Sequence, residues 1–231
     1  HRDLHSFPTR RSSDLSLAGL YQGFGEDEAA LEYFQTAINL AQKIRDTVQT
    51  CYALQSLGNF YSQQKNIKKA IEYFKQLQKL STGYNNPSIS QGNILRNFGY
   101  TYFQNNDPIN ALRHFEESLK IFENEKDFSY ISIVLMDIGS VYNKQGDFER
   151  ALSYNTRAIH ILDSINDPFQ FKSYLLYCQA KDYYGLKNYA KAKDINNKSK
   201  DDFKRDWFDL DGRIEIELLA FRIDSALGDG F

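Results

Sequence analysis

The sequence predicts an all-α fold built as an array of stacked antiparallel helix pairs, and three observations carry that prediction. A pattern recurs down the chain: Tyr21, Tyr61, Tyr102, Tyr142 and Tyr183 stand 40 or 41 residues apart, and Ala30, Ala70, Ala111, Ala151 and Ala192 keep the same spacing. A fixed period of this size marks a repeat architecture, whose units bury their apolar faces only against one another. Each copy also sets small residues beside large ones at helical intervals. Ala18, Gly58, Gly99, Gly139 and Ala180 lie one turn before the tyrosines, and Phe34, Phe74 and Phe115 lie one turn after the alanines. Those intervals put both members on one helical stripe, where the small residue admits a second helix. Finally, only Pro87, Pro108 and Pro168 interrupt the chain beyond residue 15, so helix can run almost throughout.

The elements follow in order. A first helix over 16–22 carries Leu17, Ala18 and Tyr21; Gly25 turns the chain, and a second helix over 26–45 opens on the acidic "EDE" that suits a helix N-terminus. The second pair, 47–63 and 67–80, contains the clearest copy, "LGNFYSQQKNIKKAIEYF", turning at Lys65. "STGYNNP" (81–87) has loop chemistry. The third pair, 88–104 and 108–124, turns at Asn106, and Asp107-Pro108 places a capping carboxylate before a proline at the first helical position. Asp167-Pro168 repeats that signal, and Asn86-Pro87 resembles it. The fourth pair, 130–144 and 148–164, holds "IGSVYNKQGDFERALSYN" and turns at Gly146; the fifth, 169–185 and 189–205, turns at Lys187. "KDDFKRDWFDLDG" (200–212) falls where a turn is due, and a sixth first helix over 209–226 carries Leu219, Ala220 and Ile223.

The paired signatures, L-G-x-x-Y followed by A-x-x-x-F, resemble the tetratricopeptide repeat over residues 16 to about 206. The resemblance implies a right-handed α-solenoid: five helix pairs and the first helix of a sixth in a domain over 16–231, truncated at both ends. The chain departs from the family in three ways. Its period is about 40 rather than 34, the proline near the end of each second helix is missing, and Asn155 and Asn196 stand where the family has an aromatic. The last departure is expected to loosen repeats four and five. Long-period copies are similar to those in bacterial signalling proteins.

Residues 5–15, "HSFPTRRSSDL", match the translation of a common sequencing adapter, and they have neither the apolar core of a secretory signal nor an amphipathic face. Residues 1–15 are therefore expected to be foreign sequence lying unpacked beside the repeats.

Composition narrows the function. With 28 basic and 30 acidic residues, no field argues for nucleic acid or a membrane surface. No apolar stretch approaches the ~20 residues of a spanning helix. Cys51 and Cys178 make no C-x-x-C pair, and His114 and His160 lack partners at ligand spacing, so no metal, cofactor or catalytic residue is expected. The histidines read as surface or packing residues and the cysteines as small core residues. In the family, first helices line a concave groove. The positions flanking the L-G-x-x-Y stripe are Tyr52, Gln55, Asn59 and Gln63; Asn93, Arg96, Tyr100 and Phe103; Ile133, Met136, Ser140, Asn143 and Lys144; and Tyr174, Tyr177, Lys181 and Tyr184. Aromatics give rigid contact area and amides hold peptide N–H and C=O groups, which suits an extended peptide or a partner helix. Asn59 and Arg96 are isolated, so the family's carboxylate clamp is not carried over.

The resulting expectation is a non-enzymatic scaffold that binds a protein or peptide. Two alternatives are a sensor or dimerisation region of a signalling protein whose effector domain is missing, and a peptide-pheromone receptor. A homodimer is admissible, and the cytoplasm is favoured over the periplasm.

Overall fold

The computed structural model describes residues 7–82, 89–165, 171–203 and 210–228, and among these residues it is helical with no strand. Eleven helices follow in order: α1 (Phe7–Gly23), α2 (Asp27–Lys43), α3 (Thr47–Gln63), α4 (Ile67–Ser81), α5 (Gln91–Gln104), α6 (Pro108–Glu125), α7 (Phe128–Lys144), α8 (Phe148–Ser164), α9 (Lys172–Gly185), α10 (Tyr189–Phe203) and α11 (Leu210–Leu227). The chain divides into two compact units, His1–His114 and Phe115–Phe231. None of these helices is long and apolar enough to cross a membrane.

The turn inside each pair has one construction. Gly25, Lys65, Asn106, Gly146 and Lys187 adopt positive φ, between 55° and 80°. The next residue then donates its N–H to the carbonyl of the repeat tyrosine: Glu26 to Tyr21, Asn66 to Tyr61, Asp107 to Tyr102, Asp147 to Tyr142 and Asn188 to Tyr183, at 2.8–3.0 Å. This closes the open carbonyls of the first helix in the Schellman manner. In four pairs that same residue caps the second helix. The side chains of Asn66, Asp107, Asp147 and Asn188 accept from the N–H groups of Lys69, Asn110, Arg150 and Lys191. One residue thus ends one helix and starts the next.

In unit one, α1, α3 and α5 alternate with α2 and α4, each pair packing on its own partner and on the next. The small–large pairing is literal: a Cβ at Gly58 would lie 2.4 Å from the Phe74 ring. Each second-helix aromatic also reaches forward. Phe34 meets Phe60 edge-on at 5.8 Å, and Phe74 meets Phe98 at 5.7 Å. The repeat tyrosines stack on the paired helix, Tyr21 on Tyr33 and Tyr61 on Tyr73. His114 takes the equivalent place in the third pair, stacked between Phe98 and Tyr102 at 5.4 Å. Its role is packing.

Unit two repeats the plan with α7 to α11, and Tyr142 stacks on Tyr154. The loosening expected at Asn155 and Asn196 is not what the structure has. Both asparagines are 1% exposed, and their amides are engaged: Asn155 Nδ2 donates to Asp182 and Asn196 Nδ2 to the Ile216 carbonyl, at 2.7 and 3.1 Å. The polar side chain does not lose the forward contact of the aromatic; it converts that contact into a hydrogen bond.

Three helix starts differ from expectation, one of them α9, which begins at Lys172 rather than at 169. Residues 7–15, expected to lie unpacked, form the first half of α1, with Asp14 buried and Leu15 against the apolar core. Pro8 falls in the first turn, where no intrahelical N–H is required, and nothing after it breaks a helix. Helix α5 begins at Gln91, because Ser90 accepts from the Asn93 N–H as its cap. The Asn86-Pro87 and Asp167-Pro168 signals lie outside the described residues.

Candidate ligand-binding face

Within each unit the odd helices form a layer of their own. α1 packs on α3 and α3 on α5; α7 packs on α9 and α9 on α11. Among the described residues no comparable packing joins α2 to α4 or α8 to α10, so in each unit the odd helices, and not the even ones, form a contiguous layer.

In unit one, Tyr52, Gln55 and Asn59 of α3 and Arg96, Tyr100 and Phe103 of α5 are half-buried, while Gln63 is exposed and Asn93 is buried. The Gln22 amide of α1 donates to Gln63 Oε1, tying two neighbouring odd helices across this face. In unit two, Tyr174, Lys181 and Lys144 are exposed, Asn143 and Tyr184 are half-buried, and Ile133, Met136 and Tyr177 are buried. Tyr177 is thus a wall residue. Its hydroxyl donates to Glu215 Oε2 of α11 at 2.7 Å, the Lys181 ammonium sits 5.3 Å above its ring, and the Tyr174 ring stands 5.7 Å away. Burial, reinforced by Glu215, holds this hydroxyl well above the ordinary tyrosine range.

Sequence reasoning missed four residues of this region. Ile214 and Phe221 of α11 are 48% and 71% exposed. They stand as far before Ile223 as Tyr174 and Lys181 stand before Tyr183, so the register could have found them. Glu215 carries no such signal. Asp182 carries a negative one: it occupies the position of Phe60, Thr101 and Val141, all buried. This carboxylate is fully buried and receives Asn143 Nδ2 of α7 at 2.6 Å and Asn155 Nδ2 of α8 at 2.7 Å. Burial pushes its carboxyl up to about 6, against the opposing pull of the two amides. Beside it, burial pushes the Cys178 thiol up to about 12, well away from a nucleophilic thiolate. Among the described residues no group of three or more His, Cys, Asp or Glu side chains could hold a metal ion.

Comparison with known proteins gives a family for this geometry. The family profile described as tetratricopeptide repeat matches residues 10–82 and 90–164. Tetratricopeptide repeat protein 29 of Trypanosoma brucei brucei is 26% identical over 148 residues, which is 61% of this chain and 30% of that protein. The chain spans about a third of the curated relatives it matches. Among solved structures, aspartyl phosphate phosphatase F from Bacillus subtilis superposes with a TM-score of 0.78 at 16% identity, over 97% of this chain and 60% of that one. A Rap protein complexed with competence and sporulation factor gives 0.74 at 15% identity, over 94% of this chain and 59% of that one. At such identities the likeness speaks for the fold alone.

Proposed function

Because the chain belongs to the tetratricopeptide repeat family, we propose that it is a non-enzymatic scaffold that takes a protein or peptide on the layer of odd helices. The observation that carries this reading is the make-up of that layer. Part-exposed aromatics alternate with amides and cations, Tyr52, Asn59, Arg96 and Tyr100 on one unit and Tyr174 and Lys181 on the other. Rigid rings bind area at little entropic cost, and amides match peptide N–H and C=O groups. The Rap protein captured with competence and sporulation factor supports the peptide form of the reading.

A peptide array probed with the whole chain tests it. Hits are expected to weaken about tenfold or more for Tyr100→Ala or Tyr174→Ala, because interface aromatics dominate binding energy. Undiminished binding by both variants, with helicity intact, would remove the odd-helix face as the site.

A further inference from the structure

The buried carboxylate of α9 has a place in the architecture that a binding scaffold does not need. At its position the other repeats have Phe60, Thr101 and Val141, whereas here a side chain with no solvent exposure is gripped by amides from two other helices. We propose that Asp182, Asn143 and Asn155 form a proton-operated latch that sets how firmly α9 is held against α7 and α8.

Two features of the geometry support a latch over a static bond. Asn155 Oδ1 is buried with no hydrogen-bond partner. While Asp182 is ionised it only accepts, so both amides must present N–H and the Asn155 oxygen is stranded. Once Asp182 is neutral it holds an O–H, and a half-turn of the Asn155 amide brings its oxygen round as acceptor. The acid then donates to Asn155 and still accepts from Asn143, so no charge is buried, while the Asn155 N–H groups take the place beside Gly139 that its oxygen held. The second feature is Gly139. A Cβ there would stand 2.7 Å from Asn155 Oδ1, so the glycine opens the space beside the amide. Asn143 is half-buried on the odd-helix face, so the latch reaches the surface as well as the core.

The titratable and charged groups around Asp182 come from each neighbouring helix. On α9 itself, Lys181 favours the anion, and Cys178 stays a thiol. Asp137 of α7 lies near Cys178. Helix α8 turns the uncharged Asn155 and Thr156 toward α9. On α10 and α11, Lys193 pairs with Asp224, Lys198 with Asp194 and Lys200 with Glu217, and Glu215 accepts from Tyr177. The sign follows from the direction of the shift. With its carboxyl raised from 3.8 to about 6, folded Asp182 holds a proton that the unfolded chain has already released. Its contribution to stability is full below 3.8 and is lost as pH rises through about 6. Acid therefore tightens the latch.

Native-state hydrogen exchange on the whole chain, corrected for intrinsic rates, tests this with Asp182→Asn as the mimic of the neutral acid. The opening equilibrium of α9 amides is expected to fall by up to about tenfold per pH unit on acidification from pH ~6 to ~4, and this dependence should be absent in Asp182→Asn. A carbon-13 titration of the wild-type Asp182 carboxyl gives a second reading that needs no variant, with a midpoint expected at about 6. Parallel pH profiles in the two proteins, or a midpoint in the ordinary carboxylate range, would overturn the latch.

Discussion

If Asn155 replaces the family's aromatic because Asp182 stands opposite, the two substitutions must be coupled, and a double-mutant cycle reads the coupling. Asn155→Phe restores the aromatic. The space for it is supported by the second repeat, where Gly58 cradles Phe74 as Gly139 cradles Asn155. This single change takes from a buried carboxylate one of its two amide donors. A hydrogen bond to a charged group contributes ~1.5–3 kcal/mol, so the loss near neutral pH is expected to be about 2–3 kcal/mol. Asp182→Val, matching Val141, removes the buried charge but leaves two amides without their acceptor, an effect of ~1–3 kcal/mol that the relieved desolvation offsets in part. In the double variant neither defect remains, and a Phe–Val contact replaces the polar one. Such exchanges of buried ionic groups for apolar packing are neutral or stabilising by ~1–4 kcal/mol. The cycle should therefore show a favourable coupling of about 2–4 kcal/mol in urea unfolding followed by far-ultraviolet circular dichroism. Additivity within ~0.5 kcal/mol, the level found for independent sites, would refute the reasoning.

Two further outcomes follow from close packing. Gly58→Ala places a methyl 2.4 Å from the fully buried Phe74 ring, so overpacking of ~1–3 kcal/mol should outweigh the ~1 kcal/mol of added helix propensity and lower the unfolding midpoint. Gly19→Ala, with nothing within 4 Å, should gain the propensity and raise it. Cys51 and Cys178 are both buried, and burial raises both thiols. Their alkylation in the folded chain is expected to be slower than in urea by roughly 100-fold or more, and rapid labelling of either would contradict its placement.

Periodicity carried the local structure well. Tyrosine spacing located every helix pair, and most boundaries fall within a few residues of expectation, because helix ends answer to short-range chemistry: a left-handed residue, then a capping Asn or Asp. The start of α1 is the exception, because residues 7–15 match foreign sequence yet contain nothing that stops a helix. The candidate face was legible as a register but not as exposure. Tyr174 and Tyr177 occupy adjacent turns of one helix, yet Tyr174 is exposed and Tyr177 is sealed by Glu215, 38 residues away in sequence.

The repeat was readable from the residues alone: which of them pair small against large, and where the chain turns. The meaning of the exceptions came from packing. Asn155 and Asn196 read individually as weakened copies of a pattern, and Asp182 as nothing at all. Packed, each asparagine reaches forward from its second helix onto the next first helix, and one of them meets a carboxylate that would be intolerable there alone. A pattern within one repeat records what each side chain is. Whether a buried polar group is a defect or one half of a bond depends on its partner, and here that partner lies a helix away.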